Sequence, residues 1–386
     1  MAMKAVYEEL ELAQEFTHLS AEPRYIGTVP AAWSLRRAQY TEGEIDMQLS
    51  QIRRSLILFA VASALGVLTP LVKAEVSEVK LARQFGIHYL PLVVMENQKL
   101  IEKHARANGL GDLKVSWATI SGGATVNDAL LSGAVNFSAG GVGPLIVLWA
   151  RTAGGKGDVK SVAAVSDVPM TLTTRKPNIR GIEDFRDDDK IALPAVKTSM
   201  QAITLQMAAA KKWGMAEYER LDRFTVSMPH PSAAAALLSG QSEITSHFTA
   251  APYDFEELQA PGIHRVLDSY DVYGGPATLI LLYATQKFVE ENPQVTRSVF
   301  AALGEAMQQI AADKERAAKI YLDVTREKTT VENIVGMLNN PKIAFRLQPS
   351  ATFPVAEFLF ATGRIRHKAT SWKDLFFPMA HELPGS

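Results

Sequence analysis

Ala129-Leu-Leu-Ser-Gly133 runs on as Ala134-Val-Asn-Phe-Ser-Ala-Gly-Gly-Val-Gly-Pro144, and the same pentamer returns at Ala236 to Gly240, followed by Gln241-Ser-Glu-Ile-Thr-Ser-His-Phe-Thr-Ala-Ala-Pro252. In both places an alanine- and leucine-rich helix ends at a glycine, a short strand follows, and a small polar loop closes the unit. A repeated helix, strand and loop unit predicts two similar lobes.

Outward from the first copy, Lys80 to Phe85 reads as a first strand, Gly86 to Pro91 as a loop feeding a helix to about Ala107, and Val115 to Ile120 as a second strand. Ser121-Gly122-Gly123 opens the first pentamer helix, and Val135 to Ser138 is the strand after it. Ser161 to Val165 and Met170 to Thr174 are further strands, followed by a turn and short helix from Pro177 to Phe185 and a strand at Lys190 to Leu193. Pro194 to Ser199 then leads into a helix ending near Trp213-Gly214. Phe224 to Met228 is a strand, and Pro231-Ser232 starts the second pentamer helix. Ala277 to Ala284 returns the chain to the first lobe, Asn292-Pro293 begins long amphipathic helices through about Thr325, and Trp372 to Phe377 is expected to pack there as a helix. Strands alternating with helices predict an α/β protein with mainly parallel sheets flanked by helices and loops at the strands' carboxyl ends facing a cleft between the lobes.

With 386 residues, of which 47% are hydrophobic and 21% charged, the chain can bury a large core in two lobes. Residues 75–170 with 277–386 are expected to form lobe I, and residues 171–276 lobe II. A net charge of -1, with no dense basic run, argues against a nucleic-acid partner. The absence of cysteine excludes thiol nucleophiles, disulfides and thiolate metal sites.

Gln51-Ile-Arg-Arg54 precedes an apolar run from Ser55 to Leu71 and the ending Val72-Lys-Ala74. A basic flank, an apolar centre of roughly a dozen residues and small residues two apart are the three regions of a signal peptide. Residues 47–74 are therefore read as one, starting at Met47 and cleaved after Ala74, with 1–46 an upstream extension expected to be disordered. A membrane span usually takes about 20 apolar residues, and Gly66 and Pro70 interrupt this run. Arg53-Arg54 loosely suits the twin-arginine route, although the general secretory route is the expectation.

Three helix starts carry small hydroxyl or glycine residues: Ser121-Gly122-Gly123, Thr198-Ser199 and Ser232. Free backbone N–H groups and the positive helix end favour an anion there, and glycines admit it closely. Gly140-Gly141-Val142-Gly143 lies beside them in sequence order, His88 and Tyr89 follow the first strand, and His247-Phe248-Thr249 fall in the strand and loop after the second pentamer. Lys197 offers a positive charge at the second lobe's helix start. No nucleophile elbow, phosphate loop, dinucleotide fingerprint or zinc-protease motif occurs. The eight histidines are not at metal-ligand spacing, and Asp187-Asp188-Asp189 reads as a solvated turn, so no metal and no cofactor are expected.

The helix ending in Ala-Leu-x-x-Gly with the strand that runs to Gly140, Gly141 and Pro144, Gly181-Ile-Glu-Asp-Phe185 before Lys190-Ile-Ala, and Phe288 to Pro293 before a long helix together resemble substrate-binding proteins of ABC importers in the nitrate, sulfonate and taurine (NitT/TauT-like) group. The resemblance covers most of Val79 to about Asp323. It implies a type II periplasmic-binding-protein-like fold that closes on its ligand, with a site at His88, Tyr89, Gly122, Gly140 to Val142, Thr198, Ser199 and His247; helix capping and loop position add Ser121 and Thr249. The chain departs from the group where Lys197-Thr198-Ser199 replaces its Gly-Ser pair and Ser246-His247-Phe248 stands in its aromatic place.

The function implied is a monomeric periplasmic receptor for a small organic anion (sulfonate-, taurine- or carboxylate-like) that delivers it to an ABC permease and its ATPase, without covalent chemistry. Two alternatives stand beside it. A pyrimidine-precursor-synthesis-like enzyme shares the fold but resembles proteins with a cysteine-rich motif absent here. A membrane-anchored ligand sensor would retain the Ser55 to Leu71 segment.

Overall fold

Both repeated pentamers end helices through their glycines. Gly133 and Gly240 have φ of 75° and 71°, the left-handed conformation that stops a helix at little cost only where no side chain is present. The computed structural model describes residues 74–155 and 157–386. The predicted extension and the apolar run from 55 to 71 lie outside the described residues.

Among the described residues, ten strands form two five-stranded sheets. The first contains β1 (Glu78–Arg83), β2 (Lys114–Thr119), β3 (Phe137–Gly141), β4 (Val159–Asp167) and β10 (Thr278–Thr285), in the order β2-β1-β3-β10-β4. The second contains β5 (Thr171–Thr174), β6 (Ile191–Leu193), β7 (Thr225–Ser227), β8 (Ser246–Thr249) and β9 (His264–Asp268), in the order β7-β6-β8-β5-β9. The two orders are the same pattern. β1 lies parallel to β2 and β3 as β6 lies parallel to β7 and β8, and the strands after the two pentamers, β3 and β8, hold equivalent places.

Each sheet is mixed, with one strand reversed among four that share a direction: β10 in the first sheet, β5 in the second. Both reversed strands follow a crossover from the other lobe and so enter from the opposite end. The crossovers touch one another, with Ser269 N–H donating to Met170 O at 2.9 Å and Met170 N–H to Ser269 Oγ at 2.8 Å. Thr278 Oγ1 donates to the buried Asp167 at 2.7 Å, which ties the start of β10 to the end of β4.

Some elements differ from the sequence reading. The helix expected up to Ala107 is two, Leu90–Asn97 and Leu100–Ala107, broken where Lys99 takes φ 51°. Strand β9 has no counterpart in the reading, because His264-Arg-Val-Leu-Asp268 alternates weakly and pairs only with β5. The Trp372 segment is a single 3-10 turn, Trp372–Leu375, rather than an α-helix, and it ends where Phe376 bridges Ser161 in β4. The second pentamer helix begins at His230, two residues before Ser232, since proline is tolerated in a first turn where its missing N–H costs nothing.

Four helices start next to the cleft: α1 (Gly123–Leu131), α2 (Val142–Thr152), α3 (Met200–Trp213) and α4 (His230–Ser239). The lobes meet where α3 lies on the glycine-rich end of β3. A Cβ at Gly141 would stand 2.9 Å from Met200 Cβ, and one at Gly143 would stand 2.3 Å from Ile203 Cδ1. Gly143 N–H also donates to Met200 Sδ at 3.3 Å. Gly141 has φ -61°, a value any residue adopts, so its lack of a side chain serves contact between the lobes and not backbone conformation. Because Met200 Cβ is fixed by its helix backbone, it cannot rotate away. Gly141→Ala is expected to cost about 1–3 kcal/mol of lobe closure, read as a larger radius of gyration in solution scattering with secondary structure unchanged; an unchanged radius would show that the contact does not hold the lobes together.

Candidate ligand cleft

The four helix starts converge on a cavity of about 30 Å³ between the sheets, room for only one or two water-sized groups. From the first lobe it is lined by Gln84 and Phe85 beyond β1, by His88 and Tyr89, by Ser121 and Gly123, by Gly141 and Pro144, and by Leu279 and Ile280 of β10. The second lobe supplies Pro194, Ser199, Met200, Gln201 and His230. Larger cavities of about 300 and 390 Å³ lie beside helix Val331–Leu338 and beside Phe377 to Met379, away from these helix starts.

No Lys, Arg, Asp or Glu lines the central cavity among the described residues. Its positive character comes from the starts of α1, α2, α3 and α4, each equivalent to a fraction of a unit charge. The other polar groups are neutral. His88 is buried and its pKa is pushed down to about 3, first by burial and then by nearby His230. Its Nδ1 has no hydrogen-bond partner among the described residues. Burial pushes Tyr89 well above the usual phenol range. Ser199 caps α3, its Oγ accepting from Ala202 N–H at 3.2 Å. Such a set offers hydrogen-bond donors without a full charge, which suits a small anion whose own charge is the only one present.

Of the residues singled out in the sequence, His88, Tyr89, Ser121, Gly123, Gly141 and Ser199 line the cavity. The others do not. Gly122 caps α1 with φ 88°, and its N–H is taken by Gln84 Oε1 at 3.0 Å. Gly140 faces Tyr283, whose Oη would lie 2.8 Å from an added Cβ. Val142 is fully buried in the first turn of α2, and Thr198 turns back to Val196 O at 3.3 Å. Thr249 Oγ1 bonds His230 Nδ1 at 3.1 Å, and Lys197 lies on an exposed left-handed turn with φ 61°.

His247, expected to reach the cleft, is instead fully buried in the second lobe, because strand alternation turns its side chain toward helix Tyr253–Gln259. His230 stands between it and the cavity, with Nδ1 2.8 Å from His247 Nε2. The reading missed His230, Gln84 and Gln201. The signal for the first was Met228-Pro-His-Pro231, a histidine held at a helix start by flanking prolines.

The fold and cleft together define a two-lobed α/β protein of the periplasmic-binding type. The sequence matches the NMT1-like family over residues 72–322, and the chain belongs to that family. The alkanesulfonate-binding protein of Xanthomonas axonopodis pv. citri bound to MOPS superposes with TM-score 0.60 at 17% identity, covering 76% of this chain and 96% of that one. The periplasmic aliphatic sulphonate-binding protein of Escherichia coli gives 0.57 at 17% identity over 78% and 92%. The periplasmic nitrate-binding protein of Synechocystis PCC 6803 gives 0.54 at 16% identity over 68% and 70%. Comparison by sequence with curated proteins finds no match. The family and the shared fold agree with the resemblance read from the motifs, and the solved neighbours named here are binding proteins.

His88, His230 and His247 are all buried with pKa values held below that of free histidine, chiefly by burial. Unfolding lets each take up a proton below about pH 6.5, so their contribution to stability is full above that value and is lost as pH falls toward the folded-state values. Glu257 acts oppositely. Burial pushes its pKa up to about 8, so its contribution is full below the unfolded value and is lost as pH rises toward 8. The melting temperature is expected to peak near about pH 6.5 and to fall steeply on the acid side, measurable by thermal denaturation across pH; a plateau extending down to about pH 4 would contradict neutral buried histidines.

Proposed function

We propose that the protein is a solute receptor that captures a small anion between its lobes and delivers it to an ABC permease and its ATPase. The observation that carries this reading is the convergence of four helix starts on one uncharged cavity that also holds the unpartnered, buried Nδ1 of His88. Family membership and the shared fold with sulfonate- and nitrate-binding proteins support it. Lobe I is taken as residues 75–170 with 277–386 and lobe II as 171–276, with residues 47–74 directing export to the periplasm. Among the described residues no helix is long and apolar enough to cross a membrane. The receptor is read as a monomer that converts no substrate.

Cavity size selects within the anion class. At about 30 Å³ the closed cleft accepts a nitrate or the head group of a sulfonate, while an organic tail must displace Phe85 or Met200, both of which line it. Binding of nitrate, methanesulfonate, taurine and small carboxylates is tested by thermal shift and calorimetry on the purified protein. A probe at about 100 times its dissociation constant is expected to stabilise the fold by roughly 2.7 kcal/mol. Nitrate and methanesulfonate are expected to bind more tightly than taurine, and Met200→Ala to narrow that gap by roughly tenfold, the worth of a vacated side-chain volume. No saturable shift with any anion overturns the reading, and turnover of a bound probe moves the enzyme alternative ahead.

A further inference from the structure

Behind the cleft a chain of buried polar groups crosses the second lobe. Gln201 Nε2 lies 3.2 Å from His230 Nε2, His230 Nδ1 lies 2.8 Å from His247 Nε2, and His247 Nδ1 lies 2.6 Å from Glu257 Oε1. Thr173 Oγ1 donates to Glu257 Oε2 at 2.6 Å and closes the inner end. His247, Glu257 and Thr173 have no solvent exposure, while His230 and Gln201 line the cavity. A carboxyl and two imidazoles in line are more than packing requires.

Thr173 Oγ1 lies nearer Glu257 Oε2, at 2.6 Å, than His247 O, at 3.1 Å, and the Thr249 hydroxyl 3.1 Å from His230 Nδ1 can donate or accept, so a proton on the Oε1 side of Glu257 sets the hydrogen-bond polarity along this chain. When the Glu257–His247 pair holds it, on either Glu257 Oε1 or His247 Nδ1, His247 Nε2–H must donate to His230 Nδ1. His230 is then the Nε2–H tautomer and turns a donor toward the cleft. When the proton leaves, His247 Nδ1–H donates to the carboxylate, His247 Nε2 accepts, and His230 carries its hydrogen on Nδ1. Its Nε2 then accepts, with the Gln201 amide as donor, and offers an anion in the cleft no hydrogen. The Gln201 amide has a donor and an acceptor at its end, so a turn about its last bond accommodates either state.

We propose that Glu257 and His247 are positioning residues that set the tautomer of His230, so that the cleft takes up an anion only together with a proton on this buried pair. The coupling to an anion rests on the receptor reading; the tautomer switch does not.

Other groups set the background. Asp254 and Glu256 share the helix of Glu257, and Asp268 and Arg265 lie on β9 against β5. His88 faces His230 from the first lobe, and Tyr253 stacks on His230 with ring centroids 5.7 Å apart. Burial raises the Glu257 carboxyl to about 8, against the hydrogen bond from Thr173, which lowers it. Asp254, at about 6, titrates in a separate window. The switch therefore falls just above neutrality.

Two measurements test this. Nitrogen-15 NMR of histidine-labelled protein, without ligand, is expected to show His230 changing from the Nε2–H to the Nδ1–H tautomer between about pH 7 and about pH 9.5, and to lose that change in Glu257→Gln. Calorimetry with methanesulfonate and nitrate, in buffers of different ionisation enthalpy, is expected to show about one proton taken up per anion above about pH 8 and affinity falling about tenfold per pH unit, a slope absent in Glu257→Gln. A single His230 tautomer across the range overturns the proposal whether or not any anion binds, as do proton-neutral, pH-independent binding and a wild-type slope in the variant. A tautomer switch with no anion bound defeats the receptor reading and the anion coupling while supporting the positioning role.

Discussion

One contact between the two lobes is made where side chains are missing. Met200 and Ile203 of α3 rest on the backbone at Gly141 and Gly143, and the helix can come this near only because no Cβ stands in the way. Because the approach is so close, the starts of α2 and α3 are drawn to the same small volume, and their partial charges add where each alone would be a weak attraction. The same contact leaves only about 30 Å³ of free space, so the attraction and the size limit have one origin.

Lining a cleft without a cation has a thermodynamic logic. A buried arginine needs either its counter-ion or a large desolvation cost whenever the ligand is absent. Helix starts and neutral imidazoles carry no such cost, because their dipoles are already satisfied at the far end or by a neighbour. His88 is the exception, with one ring nitrogen unpartnered while buried, and it is the group that stands to gain most from a ligand.

The repeated pentamer made the architecture legible, because Gly133 and Gly240 do the same backbone work in both lobes and the strands after them hold equivalent places. The alternation of strands and helices gave the shared direction of four strands per sheet. The reversal of β5 and β10 was hidden, since it follows from which lobe the chain has just left and not from any local pattern. The lining of the cavity was legible where loop position or a helix start decides, as at His88 and Tyr89 for the one and Ser199 for the other. His247 and Gly140 do not line the cavity, since a one-residue alternation in β8 turns the His247 ring inward and Tyr283, from a strand far along the chain, takes the open side of Gly140. Glu257 had no signature at all, being one acid among several on a short helix.

The place of β10 between β3 and β4 gives the two lobes different histories during synthesis. Every strand of the second sheet lies within the continuous stretch from Thr171 to Asp268, so that sheet has all its pieces as soon as this stretch is made. The first sheet must wait. Its β3 and β4 remain unjoined until Thr278 to Thr285 arrives, although they were made long before. The lobe that begins the folded chain is thus the later to finish, and its open edges stay exposed for the time taken to make more than a hundred further residues, a window in which a partner that covers strand edges would find its binding site.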